Sequence, residues 1–171
     1  MGFNTSSVWI KVAIICLALA LLLFVIGFAT THWMVLSGYR SSSYGLWSHE
    51  YCDHHRCADN KITGALLRQY KWEDWYRATQ AFECIGLICL SVALLVIILF
   101  VFVDRMRKRN PLIAIIILSF CAVVAMVIGF LIFALKLEDY GYSVGWSMAL
   151  AIAGCILTFV AGVMCVIDLK K

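Results

Sequence analysis

The residues able to do chemistry crowd into one segment. His32, His49, His54 and His55, with Glu50, Cys52, Asp53 and Cys57, offer the imidazole, thiolate and carboxylate ligands that hold zinc-type ions. Their spacing is not that of a paired zinc knuckle, and cysteines bonded to each other cannot act as thiolate ligands, so no metal is assigned. A membrane thiol oxidoreductase uses a Cys-x-x-Cys pair and a second pair to relay electrons, whereas Cys52 and Cys57 have four residues between them and no second loop pair exists. No serine elbow, phosphate loop or metalloprotease motif occurs. The chain reads as a non-enzyme that needs no cofactor. One acid stands apart. Glu83 lies inside an apolar run, where an ionisable group is a functional candidate by default. It is about a turn from the edge of that run, within reach of water, Arg77 or Lys136, and structural pairing is the favoured reading.

The elements that position these residues are overwhelmingly apolar. Of 171 residues, 64% are hydrophobic and 14% charged, with a mean hydropathy of +0.94; soluble domains carry roughly 45–50% and ~25%. A core of this size cannot hide so many apolar side chains, so lipid must face them. Apolar runs at 8–31, 80–103, 112–135 and 144–167 are each long enough to cross a ~30 Å hydrocarbon core as a helix. Gly27, Gly86, Gly129, Gly154 and Gly162 inside them permit close helix approach. A cleaved signal peptide is rejected for the first run because it exceeds the ~7–15-residue core of such signals. Met1-Gly2-Phe3-Asn4-Thr5-Ser6 matches a myristoylation pattern formally, but a four-span chain needs no lipid anchor.

Charge sets the expected orientation. Arg105, Arg107, Lys108 and Arg109 fall between spans two and three, Lys170 and Lys171 at the end, and Lys11 beside the first span. The positive-inside rule makes the termini and loop 104–111 cytoplasmic, and loops 32–79 and 136–143 extracellular, on a plasma-membrane protein. In the long loop Arg40, Arg56, Lys61, Arg68, Lys71 and Arg77 nearly balance Glu50, Asp53, Asp59, Glu73 and Asp74. That balance names no pore selectivity filter, although Asp53 and Asp59 are the acids to test. The net charge of +4 is too dilute for nucleic acid, and a single proline, Pro111, excludes collagen-like structure.

Cys16, Cys84, Cys89, Cys121, Cys155 and Cys165 lie in the spans and read as small packing residues. Cys52 and Cys57 face an oxidising compartment, which predicts a disulfide closing a short hairpin or turn. Trp33-Met34-Val35-Leu36 reads as extended, Ser37-Gly38 as a turn, and Tyr44-Gly45-Leu46-Trp47 as β-structure. Ile62, Leu66, Leu67 and Tyr70 recur at helical spacing and lead to Trp72, Trp75 and Tyr76; Trp72 and Trp75 are read as interfacial belt residues.

Trp33, then Gly45-Leu46-Trp47, then Cys52 and Cys57, in the first loop of a four-span chain, resemble the W…GLW…C…C signature of the claudin and peripheral myelin protein superfamily. The segment Arg77 to Phe82 resembles the close of that loop in the family, and Gly141 to Trp146, with Gly145, its approach to span four. The gap between the cysteines, the Lys-Lys tail and Ala29 to Met34 are most similar to the epithelial membrane protein and lens fibre membrane intrinsic protein branch. Two departures stand out: the first loop has no Asn-x-Ser/Thr site, and the tail has no PDZ ligand. The resemblance implies an all-α transmembrane four-helix bundle, left-handed, carrying a small extracellular antiparallel β-sheet seated by Trp33 and Gly45-Leu46-Trp47. It also implies lateral association in cis, and in trans between cells, at junctions; an auxiliary role on an ion channel or receptor, and a paracellular pore or barrier, are the alternatives.

Overall fold

Ser7 starts the first helix, its side-chain oxygen accepting from the Ile10 amide, and after Lys11 in the first turn nothing polar interrupts the helix until Thr30 ends it in extended backbone. In the computed structural model, residues 7–36, 41–53, 56–69, 71–103, 109–140 and 142–170 are described. The elements run α1 (Val8–Ala29), β1 (Met34–Leu36), β2 (Ser41–Tyr44), β3 (Ser48–Asp53), β4 (Arg56–Lys61), α2 (Gly64–Gln69), α3 (Glu73–Phe102), α4 (Arg109–Tyr140), β5 (Ser143–Val144) and α5 (Trp146–Lys170). Residues 1–6, the Ser37-Gly38 turn, His54, His55 and residues 104–108 of the basic loop lie outside the described residues.

Four helices, α1, α3, α4 and α5, are long and apolar enough to cross a membrane. Even the shortest, with 22 residues, spans ~33 Å at ~1.5 Å per residue, against a ~30 Å core. Each is apolar nearly all round within its span, so polarity does not mark the inward face. In α1 the inward positions Ile10, Ala13, Leu17, Ala20, Phe24 and Gly27 recur every three or four residues, while Ile15, Leu19 and Leu22 point outward to the lipid. Without a hydrophobic drive between helices in lipid, close packing of small residues must hold them. Accordingly α1 packs chiefly on α5, with Gly27 against Ala151 and Gly154 against Ala20 and Phe24, and α3 packs chiefly on α4.

At one end of the bundle lies a five-stranded antiparallel sheet in the order β4-β3-β2-β1-β5. The four-helix and sheet architecture expected from the sequence is present. Two local readings need correction. Val144, expected to begin the fourth span, instead pairs with Met34 of β1 in the short strand β5, and the helix starts only after Gly145. Trp72 and Trp75 are not belt residues in lipid. Trp72 is 2% exposed, edge-on to Tyr44 at 5.4 Å and to Tyr142 at 6.0 Å, and Trp75 lies 5.7 Å from Phe133. The cause is that α3 begins at Glu73, before its apolar run, and this extension is roofed by the sheet.

The turn into α3 is built by a left-handed residue. Lys71 has φ +57°; its amide donates to the Arg68 carbonyl at 3.1 Å and the Trp72 amide reaches back to Leu67 at 2.8 Å, closing a Schellman cap with Leu67 and Trp72 both buried. A β-branched residue pays most for that backbone. Lys71→Val is therefore expected to be less stable than Lys71→Gly by about 1–2 kcal/mol, read as thermal unfolding midpoints in detergent; equal midpoints would refute the left-handed cap.

Candidate interaction surface

The sheet is fixed to the helices through the signature residues. Trp33 is fully buried, its ring 5.3 Å from Phe133 and 6.0 Å from Phe130, and its indole N–H donates to the Gly27 carbonyl of α1 at 2.6 Å. An indole suits this place because its apolar body fills the space while its polar edge satisfies a helix-end carbonyl. Gly45 passes so close to α1 that a Cβ there would run into the Thr30 carbonyl, and Gly145 likewise meets the His32 carbonyl. Only hydrogen fits at either point.

Hydrogen bonds complete the joint. The Tyr76 hydroxyl donates to the Gly45 carbonyl, and Gln80 Nε2 donates to the Leu46 carbonyl at 2.6 Å. The Gly145 amide donates to Trp33 at 2.9 Å and the Ser147 amide to His32 at 3.1 Å. Thr30 Oγ1 donates to Ser147 Oγ, which in turn accepts from the His32 amide. Leu46 is fully buried, Trp47 packs on Phe28 at 5.4 Å, and Trp146 lies 5.4 Å from His32. Trp33, Gly45, Leu46, Trp47, Gly145 and Trp146 thus converge. Arg77 does not join them: it pairs with Glu73 at 3.1 Å, which also takes Arg68 at 3.0 Å, an exposed clamp between α2 and α3. Tyr76, Gln80 and Ser147 carry the joint and were not singled out from sequence; Gln80 lay in the very segment that resembled the family, beside the more conspicuous Arg77.

Beyond the joint, the sheet presents its far edge. Cys52 and Cys57 are directly opposed on β3 and β4 and joined by a disulfide, with Cα atoms 4.1 Å apart. Glu50 lies close to both sulfurs, the one candidate metal group among the described residues, but sulfurs bonded to each other are not thiolate ligands. The described histidines do not gather there. His49 stacks on Tyr44 at 5.5 Å on the inner face, its Nδ1 buried without a hydrogen-bond partner, and His32 sits beside Trp146. Asp53 ends β3 opposite Arg56 in register. β4 is the outermost strand, with Cys57, Ala58, Asp59, Asn60 and Lys61 exposed along it. A six-residue unpaired edge is a template for further strand pairing.

Glu83 is the second candidate, and it does not make the expected pairing. It is fully buried and neither carboxyl oxygen has a hydrogen-bond partner; the carboxyl packs on Gly129 of α4. Helix phase explains this. Six residues of helix turn Arg77 to a different face, toward Glu73, and Lys136 lies about 10 Å further along α4 than Gly129. Nearby, a lipid-facing groove of about 330 Å³ between α3 and α4 is lined by Phe82, Ile85, Phe120, Cys121, Val124, Ala125 and Ile128.

A model of the PMP-22/EMP/MP20/Claudin family matches residues 6–165, nearly the whole chain. The comparison with curated proteins gives no match.

Two substitutions test these sites. Tyr76→Phe leaves a buried carbonyl short of a donor and is expected to cost about 1–3 kcal/mol in thermal unfolding. Glu83→Met, which removes an unpartnered buried carboxyl at similar volume, is expected to stabilise by about 1–3 kcal/mol; a loss of stability would mean that the carboxyl is bonded in the membrane.

Proposed function

Because the chain belongs to the PMP-22/EMP/MP20/Claudin family, we propose that it works without enzymatic chemistry, by association of its sheet with other membrane proteins at the cell surface. Membrane lipids are its surroundings, and a second copy is its first partner, laterally in cis and between cells in trans. The observation that carries this reading is the rigidly seated sheet whose outer strand β4 is unpaired and exposed. A sheet anchored by Trp33, Gly45 and Gly145 loses little freedom on docking, so what it contributes to association is not spent on ordering.

The proposed orientation puts the sheet outside the plasma membrane and both termini in the cytoplasm. Arg109 and Lys170, at the helix ends away from the sheet, follow the positive-inside rule, and the Cys52–Cys57 disulfide suits an oxidising compartment. The α3–α4 groove favours a second reading, an auxiliary subunit lying against a larger channel, since it offers an apolar lateral face to another membrane helix.

Cells expressing the protein are expected to concentrate it at contacts with one another. Ala58→Lys, at an exposed position on β4, adds an edge charge that opposes strand pairing and is expected to disperse the protein along the membrane at unchanged surface level. Uniform distribution of the parent protein, with a larger channel co-purifying in fixed stoichiometry, would replace association by the auxiliary-subunit reading.

A further inference from the structure

A pocket of about 590 Å³ lies beside the joint, lined by Trp47, Ser48, Asp59, Asn60, Lys61 and Ile62. Two strand ends build it. Ser48 and Lys61 are paired in register, and the Ile62 amide donates to the Trp47 carbonyl at 2.8 Å, closing the ladder. Its height relative to the membrane is set by three contacts. Trp47 packs on Phe28, in the last turn of α1, the preceding Leu46 carbonyl receives Gln80 at the start of the apolar run of α3, and Gly45 rests on the Thr30 carbonyl. The pocket therefore opens where the helices leave hydrocarbon and lipid headgroups begin.

Its chemistry is zwitterionic with an aromatic wall. Trp47 is 42% exposed, so part of its indole surface is free. Asp59 and Lys61 are two residues apart on one strand and so share a face. Both are exposed, and neither makes an ion pair with another described residue. Glu50 stands opposite Asp59 in register, a like-charge pair that is unfavourable unless a cation lies nearby. An anionic headgroup satisfies Lys61 but meets Asp59. A primary ammonium is strongly hydrated and asks for hydrogen bonds that an indole face cannot accept well, whereas a quaternary ammonium is well suited to an aromatic face beside a carboxylate. The ligand that satisfies every group carries a quaternary ammonium and a phosphate a few bonds apart.

We propose that this pocket binds the phosphocholine headgroup of a membrane lipid in the leaflet on the sheet side, the trimethylammonium lying against Trp47 and Asp59 and the phosphate taken by Lys61 with Ser48. The site depends on the sheet lying at the bilayer surface, not on which side of the membrane that is, nor on association between copies. Occupancy would tie the β3–β4 edge to the lipid surface and link the height of the free edge to headgroup composition.

The test uses the full chain in mild detergent, offered equal amounts of phosphatidylcholine, phosphatidylethanolamine and phosphatidylglycerol, with retained lipid counted by native mass spectrometry. Phosphatidylcholine is expected to be enriched about threefold or more over the other two, the size of a modest cation–π preference. Trp47→Ala and Asp59→Asn are each expected to abolish that enrichment, Asp59→Asn shifting retention toward phosphatidylglycerol by leaving Lys61 alone, while Trp47→Phe keeps it. Soluble phosphocholine at millimolar concentration is expected to displace the lipid only partly, because the acyl chains contribute to binding. Equal retention of the three lipids by the parent protein, or enrichment that survives both Trp47→Ala and Asp59→Asn in chains with an intact disulfide and unchanged thermal midpoint, overturns the proposal. So does loss of a dimer peak, rather than of lipid, in those variants, which would give the pocket to a second copy.

Discussion

The hydrogen bond from the Trp33 indole to the Gly27 carbonyl is the point on which the rest of the architecture turns. A helix that ends at the membrane surface leaves carbonyls without intrahelical donors, and in an apolar setting each is costly to leave unmade. Trp33 answers one of them with a side chain that also fills the space between α1 and α4. Once it is seated, Met34 must leave as a strand over the bundle rather than as a loop into water. The direction of β1 fixes β2 by antiparallel pairing, and β2 fixes β3 and β4. The sheet takes its direction from this indole, and Tyr76, Gln80 and the close approaches of Gly45 and Gly145 hold it in place.

The two halves of the molecule are held by different physics. Among the helices, lipid on the outside removes the hydrophobic preference for the inside, so small residues mark the closest approaches: Gly27 of α1 meets Ala151 of α5, and Gly154 of α5 meets Ala20. Beneath the sheet the large rings gather, Trp33, Trp72, Trp75, Tyr76, Phe133 and Tyr142, where aromatic surface is withdrawn from both water and lipid. Tyr76 and Gln80 bridge the two regimes, each rooted in α3 and bonded to the carbonyls of the Gly45–Leu46 segment. The disulfide lies at the opposite end of the sheet from this joint and closes a ring too small to remove more than about 2 kcal/mol of unfolded-state entropy, so its role is to hold the β3–β4 pair together where no helix supports it.

What could be read from residues alone follows from this division. The spans were legible because hydrocarbon thickness imposes a length that composition reveals directly. Trp33, Gly45 and Gly145 were legible only through the resemblance to the family's motif; the reasons for them, an indole bonded to the Gly27 carbonyl and two backbone approaches that leave no room for a Cβ, are structural. Trp72 and Trp75 were misread because an aromatic residue beside a span has the same sequence appearance whether lipid or a sheet covers it. β5 left no signal, since two residues cannot display a period of two. The isolation of Glu83 was invisible because it depends on the rotation of α3 relative to α4, and an apolar run carries no phase for the eye to follow.

The pairing of β5 with β1 joins the beginning of the chain to a segment made more than a hundred residues later. During synthesis, β1 to β4 can meander into a sheet before the later helices are made, because their partners are neighbours in sequence. The far side of β1 has no partner until residues 143–144 arrive, and the donors that lock it, the amides of Gly145 and Ser147, come with the threshold of the last helix. A chain whose fourth helix has failed to insert therefore exposes an open strand at the membrane surface. Completion of the sheet on the β1 side is in effect a record that all four helices are in place, because its last strand arrives only with the threshold of the last helix.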